Sequence, residues 1–308
     1  MHVESTARAR LAAVGAPVWF LRLAAVELFA LWLIVGTGAA VRLTASGLGC
    51  RHWPGCEAGH PLPAKDYHAF IEFGNRAIGG VTILLTLLTA LATLWAPVGR
   101  RAKQLAVAIF LGTLAQAPLG YLAVKTDLRW PVVAAHLLLS MLLVAAAVVL
   151  VFAASEIVAG RAEPVVPLEL RRFGIWVAAA GLALLVSGSL ATAAGPHSGG
   201  GTEHVERLAR LEPIVYVHAG VVALFGCSFL LLLGYLAARR AAAPRLFRAA
   251  LAVLALLLAQ AGLGELQYRL HLPWYLVLVH VALAAAAWAG IVALVTALWR
   301  PPVPLART

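Results

Sequence analysis

The sequence predicts an all-α integral membrane protein: eight transmembrane helices arranged as two tandem four-helix bundles related by an internal repeat. Three observations carry this prediction. The chain has 308 residues, 62% of them hydrophobic, with a mean hydropathy of +0.91, whereas a soluble domain is only about half apolar. Basic residues gather at every second connection: Arg8 and Arg10; Arg100, Arg101 and Lys103; Arg161, Arg171 and Arg172; Arg239, Arg240 and Arg245; Arg300 and Arg307. That alternation is the positive-inside pattern of a polytopic membrane protein. Finally, Ala115-Gln116-Ala117-Pro118-Leu119-Gly120 running on to His136 recurs as Ala259-Gln260-Ala261-Gly262-Leu263-Gly264 running on to His280, with a Gln-to-His interval of 20 residues in both copies. Such self-similarity marks a duplicated unit.

A membrane span needs about 20 apolar residues. In order, such segments run over 20–43, 69–95, 104–124, 131–154, 173–193, 213–238, 246–267 and 274–299. An even count with the first basic cluster inside places both termini in the cytoplasm, and the expected location is the cell membrane. The first span carries Arg22, which can snorkel, and Glu27, which can pair with it or face the bundle. The outer segment that follows, 44–68, is rich in turn formers and holds Cys50, Arg51, Trp53, Pro54 and Cys56; its counterpart at 194–212 contains Gly195-Pro196-His197-Ser198-Gly199-Gly200-Gly201. The glycine run lacks the strand–turn–helix context of a phosphate loop and reads as flexible loop. Residues 1–155 form the N-terminal four-helix half, 156–171 a cytoplasmic linker and 172–308 the C-terminal half. Each half is an antiparallel bundle with short connections, and the two share one orientation, as in a parallel repeat.

The charge of +11 is spread along alternate connections rather than gathered in one patch, which excludes a nucleic-acid partner. No small-residue cleavage site follows a short apolar core, so no removable signal peptide is expected. Three cysteines are too few for a disulfide scaffold.

The polar residues inside the spans direct attention to function. His136, His218 and His280 lie at similar depth, five or six residues into their spans from the outer side. His218 and His280 on facing helices can clamp one haem iron from both sides, or each can serve as hydrogen-bonding glue between helices. In the first half Asn75 stands where the second has His218, and an amide does not ordinarily ligate haem iron. Glu72 shares a helix face with Asn75. His68 lies on that face too, but about 10 Å higher. The inference is an asymmetric protein, with a six-coordinate haem in the second half and, in the first, a porphyrin held by His136 alone and open toward Glu72 and Asn75. Arg76 either pairs with Glu72 at i+4 or holds a haem propionate. Cys50 and Cys56 read either as a structural disulfide stapling the loop or as a redox-active pair. Cys227 reads as an inert core residue, and Gln116 and Gln260 as residues of close helix packing.

Taken together these residues resemble the haem A synthase family, in an actinobacterial-type form. Its first outer loop is similar to Ser46-Gly47-Leu48-Gly49-Cys50…Trp53-Pro54…Cys56, and its Glu-x-x-His-Arg motif is matched by Glu72-Phe73-Gly74-Asn75-Arg76, with Asn75 where the family usually has histidine. The Gly195-Pro196-His197 loop, His218 and His280 also match. The resemblance implies oxidation of a ring methyl of haem O to the formyl group of haem A by successive hydroxylations, with oxygen supplied by water. It implies haem b between His218 and His280, His136 as ligand to the haem O substrate, and Glu72 as the catalytic carboxylate. The partners it implies are haem O delivered by a haem O synthase, membrane lipid and an electron acceptor, with a homo-oligomer left open. The rival readings are a di-haem membrane electron carrier, a haem-binding oxidase assembly factor and, from topology alone, a transporter.

Overall fold

The computed structural model describes residues 18–50, 52, 53, 55–57, 59, 62, 63, 66–200 and 205–301. Arg8, Arg10, Arg51, Pro54, Gly201 and Arg307 lie outside the described residues. Among the described residues eight helices follow one another: α1 Val18–Leu43, α2 Tyr67–Ala92, α3 Arg100–Lys125, α4 Trp130–Ala159, α5 Leu168–Ala194, α6 Leu211–Ala238, α7 Pro244–Arg269 and α8 Trp274–Trp299. All eight are long and apolar enough to cross a membrane, so the chain is a multi-pass membrane protein.

The helices start and stop for local reasons. Asp66 caps α2 by accepting the Ala69 N–H at 2.9 Å, as a short acidic side chain does at an N-cap. Pro131 and Pro244 open α4 and α7, where a missing N–H costs nothing. Gly160, at φ 76°, ends α4. Two connections are built alike. Asp127 and Leu128 (φ 51° and 58°) between α3 and α4 correspond to His271 and Leu272 (φ 61° and 60°) between α7 and α8. In each, the second residue's N–H returns five residues, Leu128 to Ala123 O at 2.8 Å and Leu272 to Gln267 O at 2.7 Å.

α4 and α5 run further into the central connection than hydropathy alone indicates, leaving only 160–167 as loop. The extra turns are amphipathic, and they end pinned rather than free. Arg300 grips Glu156 through two bonds of 2.8 and 2.6 Å, and Arg171 stacks over Trp299 at 5.1 Å.

Helix packing forms two rings. α1 packs on α2, α2 on α3, α3 on α4 and α4 back on α1; α5, α6, α7 and α8 close in the same order. Between the rings α4 and α8 meet, flanked by α1 against α8 and α4 against α5. Trp32 of α1 donates its indole N–H to Ala282 O at 3.0 Å, and Trp288 of α8 donates to Met141 O at 2.9 Å. Both bonds cross between the rings, and each buries an indole donor with a partner. The largest apolar cluster runs through both rings without a break.

Candidate functional site

A cavity of about 480 Å³ opens inside the first ring, of the size small-molecule sites usually have. Its walls are largely apolar, with Leu, Ile and Val beside glycines and alanines, and the polar groups facing it include Glu72, Asn75 and Arg76 from α2, Gln116 from α3 and His136 from α4. The cavity is not confined to the first half. Thr192, Ser198, Gly199, Val277 and Val281 of the second half also line it. They are drawn in by Arg42 at the end of α1, which donates to His197 O at 2.9 Å and Thr192 O at 2.7 Å, and by Gly47 N–H bonding Gly199 O at 2.9 Å. A Cβ on Gly47 would stand 3.1 Å from that carbonyl, so a larger residue there would press the two loops apart by a few tenths of an ångström.

Glu72 is buried and both its oxygens are engaged: Oε2 accepts the Cys50 N–H at 2.8 Å and Oε1 pairs with Arg76. Arg76 also donates to His52 O at 2.7 Å and Gly55 O at 2.5 Å. Cys50 and Cys56 form a disulfide, packed under cover with Ala69 and Phe73. A buried charged side chain needs such partners; here they fasten the disulfide loop onto the carboxylate at the cavity edge. The i+4 pairing of Glu72 with Arg76 expected from sequence is present, and the same guanidinium holds the loop.

Asn75 has a partner that sequence did not single out. Its Oδ1 accepts the Thr37 hydroxyl at 2.8 Å. In the second half Ser187 Oγ lies 2.8 Å from His218 Nδ1, and the following Gly188 has no Cβ to strike the ring, which would come within 3.2 Å. Thr37-Gly38 opposite Asn75 thus takes the place of Ser187-Gly188 opposite His218, a hydroxyl followed by glycine in both. The neighbourhood of Asn75 is shaped for an imidazole, and we expect Asn75→His to be accommodated at a cost under about 1 kcal/mol, measured by thermal unfolding.

His136 and His280 are mounted alike. Gln116 Nε2 donates to His136 O at 3.2 Å and to Ser140 Oγ at 2.7 Å; Gln260 Nε2 donates to His280 O at 3.0 Å and reaches His280 Nε2 at 3.1 Å. Gly120 and Gly264 clear room beside the two rings, where a Cβ would stand 3.7 and 3.1 Å from Cε1. Both Nδ1 atoms are buried without a hydrogen bond, a costly state for ring nitrogens unless something else engages the imidazoles. Two imidazoles in one ring of helices, seated over glycines, fit the donor set of a haem. Gly264→Ala is expected to tilt His280 away and cut haem content at least about tenfold, read from the absorption spectrum.

His68 does not reach the cavity. Its Nδ1 lies 3.0 Å from Ser46 Oγ, and its backbone is packed so closely on Gly49 that a Cβ there would meet it at 2.7 Å. Cys227 corrects an expectation: it is exposed on the outside of α6, not in the core. Arg42 and Thr37 were not found from sequence; the signal for Thr37 was the Ser187-Gly188 pair at the matching place.

The family model COX15-CtaA, cytochrome oxidase assembly protein, matches residues 21–292. A heme A synthase of Bacillus pumilus is 34% identical over 153 residues, 48% of this chain and 49% of that protein. A heme A synthase of Shewanella oneidensis is 34% identical over 137 residues, 39% and 40% of the two chains. A protoheme IX farnesyltransferase of Thermus thermophilus is 29% identical over 294 residues, 86% of this chain but 46% of that protein. The chain's matches span about half the length, or less, of these curated relatives.

Proposed function

The chain belongs to the COX15-CtaA family of cytochrome oxidase assembly proteins, the haem A synthase family, and on that premise we propose that it oxidises a ring methyl of haem O to the formyl group of haem A. The observation that carries this reading is the first-half cavity, which presents His136 from α4 and Glu72, Asn75 and Arg76 from α2 to one space. The overall change is R–CH₃ + H₂O → R–CHO + 4H⁺ + 4e⁻, through successive hydroxylations, with the electrons passing to an external acceptor.

In this reading His136 ligates and orients the haem O substrate. Asn75, held by Thr37, offers an amide where His218 stands in the second half, and Glu72 would take protons at the methyl and orient the attacking water. Arg76 keeps Glu72 in place and holds the disulfide loop through His52 O and Gly55 O. A haem b bound by His218 and His280 would supply one-electron transfer. The disulfide serves to seat the loop that bears on Glu72. The two rings are copies of one unit, residues 1–155 and 172–308. The termini lie on the cytoplasmic side of the cell membrane, as the basic connections favour. The match to a protein named for farnesyl transfer to protohaem supports a haem O synthase as the source of substrate.

The test is haem extraction and chromatography from membranes of a host that makes haem O, with and without this protein. Haem A or its hydroxylated precursor is the expected product. Bound haem b with haem O unchanged would replace this reading with a haem carrier or assembly factor. Asn75→His is expected to convert the substrate haem to a low-spin spectrum while slowing its oxidation.

A further inference from the structure

Glu27 has no part in the site described so far. It lies on α1, 0% exposed, and neither carboxylate oxygen completes a hydrogen bond. Arg22, on the same helix, is exposed and does not pair with it. α1 packs along α2, which brings Glu27 close to the buried Thr89 of that helix. Thr89 belongs to a line: Thr82, Thr86, Thr89 and Thr93 are all buried, and their spacing puts them on one helix face. Their hydroxyls donate to carbonyls of their own helix, Ile78, Ile83, Leu85 and Ala90, at 2.7–2.9 Å. A hydroxyl so engaged turns its lone pairs outward, where they accept a proton. Thr82 lines the first-half cavity, and so does Leu31, one turn along α1 from Glu27.

The second ring shows what packing alone requires there. The 143-residue shift that lays Asn75 on His218 lays the four threonines on Phe225, Phe229, Leu232 and Leu236, all buried. The 150-residue shift that lays Thr37-Gly38 on Ser187-Gly188 lays Glu27 on Val177, also buried. Apolar side chains fill the same positions in the same kind of ring. The first ring instead keeps a carboxylate and four hydroxyls, and an unpaired buried carboxylate is costly inside a membrane.

We propose that Glu27 and the line Thr82–Thr86–Thr89 form a proton-transfer file joining the first-half cavity to the end of the bundle away from the disulfide loop. The inference rests on the proposed oxidation, which frees four protons per formyl group in a cavity walled mostly by hydrocarbon. A proton passes from cavity water to a Thr82 lone pair, and each hydroxyl hands on its own proton by swinging it off the carbonyl it now bonds, then turns back to that carbonyl. Successive hydroxyls lie one turn apart, about 5–6 Å along α2, so transfer between them requires a water to enter each gap. The proton reaches the Glu27 carboxylate, leaves past Thr93 at the end of α2, and returns the file to its starting state with nothing oxidised.

The test uses the purified full-length protein. Infrared difference spectra in H₂O and D₂O are expected to show an exchangeable protonated-carboxyl C=O stretch that Glu27→Gln removes. Glu27→Val, which copies Val177, is expected to keep haem content and thermal stability while lowering haem A formation about tenfold or more; Thr86→Val with Thr89→Val should act in the same direction. An infrared spectrum with no exchangeable band assignable to Glu27, or wild-type turnover in both Glu27 variants, overturns the proposal. A wild-type protein that makes no haem A would defeat the proposed function, while the infrared band would still decide whether Glu27 exchanges protons.

Discussion

Glu72→Gln is expected to lower haem A formation by about 10²–10⁴-fold, the usual loss when a positioned acid–base group is removed, with porphyrin still bound. Glutamine keeps the length and one carbonyl oxygen of the side chain, so the Cys50 N–H retains an acceptor where Oε2 now accepts it at 2.8 Å. Arg76 loses its ionic partner but keeps His52 O and Gly55 O, which holds the loop in place. The substitution therefore separates proton chemistry from architecture. Glu72→Ala would not, because it also strips the Cys50 N–H of its partner inside a buried site. Chromatography of extracted haem gives the readout: haem O accumulating beside normal haem b is the expected outcome. Full turnover would remove Glu72 from the chemistry and leave it as a clamp on the disulfide loop.

In the function proposed above, in which His218 and His280 hold a haem b, His280→Ala is expected to empty the second ring of it. Losing an axial ligand should exceed the roughly 10–100-fold loss of affinity that follows removal of even an outer-sphere partner. His218 would remain in contact with Ser187, but one imidazole on one side cannot clamp the iron from both. Haem O bound at His136 should survive, since Gln116 and Gly120, not the second-half residues, mount that ring. Pyridine haemochrome content and the low-spin absorption bands check this, and an unchanged low-spin spectrum would refute the assignment of His280.

The spans were legible because a backbone in hydrocarbon has few solutions, and runs of about 20 apolar residues admit only helices. Gln116, Gly120 and His136 were legible because Gln260, Gly264 and His280 repeat them. What stayed hidden was hidden for physical reasons. In a membrane protein the outside of a helix is as apolar as its inside, so the sequence around Cys227 reads the same for core and lipid-facing positions, and the structure turns it outward. Thr37 is an ordinary hydroxyl in an apolar run until Asn75 is placed against it. Arg42 looks like one more terminal arginine, because its acceptors, Thr192 O and His197 O, are some 150 residues away in the chain. Helix ends at Ala159 and Leu168 escaped a hydropathy reading because Glu156, Glu169, Arg171 and Arg172 interrupt the apolar runs there.

Arg42 has a thermodynamic consequence. A chain of two helix rings joined by a short loop would melt in two steps if each ring were self-sufficient. Here the arginine that ends the first helix is, among the described residues, hydrogen-bonded to carbonyls of the other ring, Gly47 closes on Gly199, and Trp32 and Trp288 each donate their indole proton across the divide. Unfolding either ring strands buried donors in the one that remains. Calorimetry in detergent should accordingly give one transition for the whole chain, and either half expressed alone should fail to accumulate in the membrane.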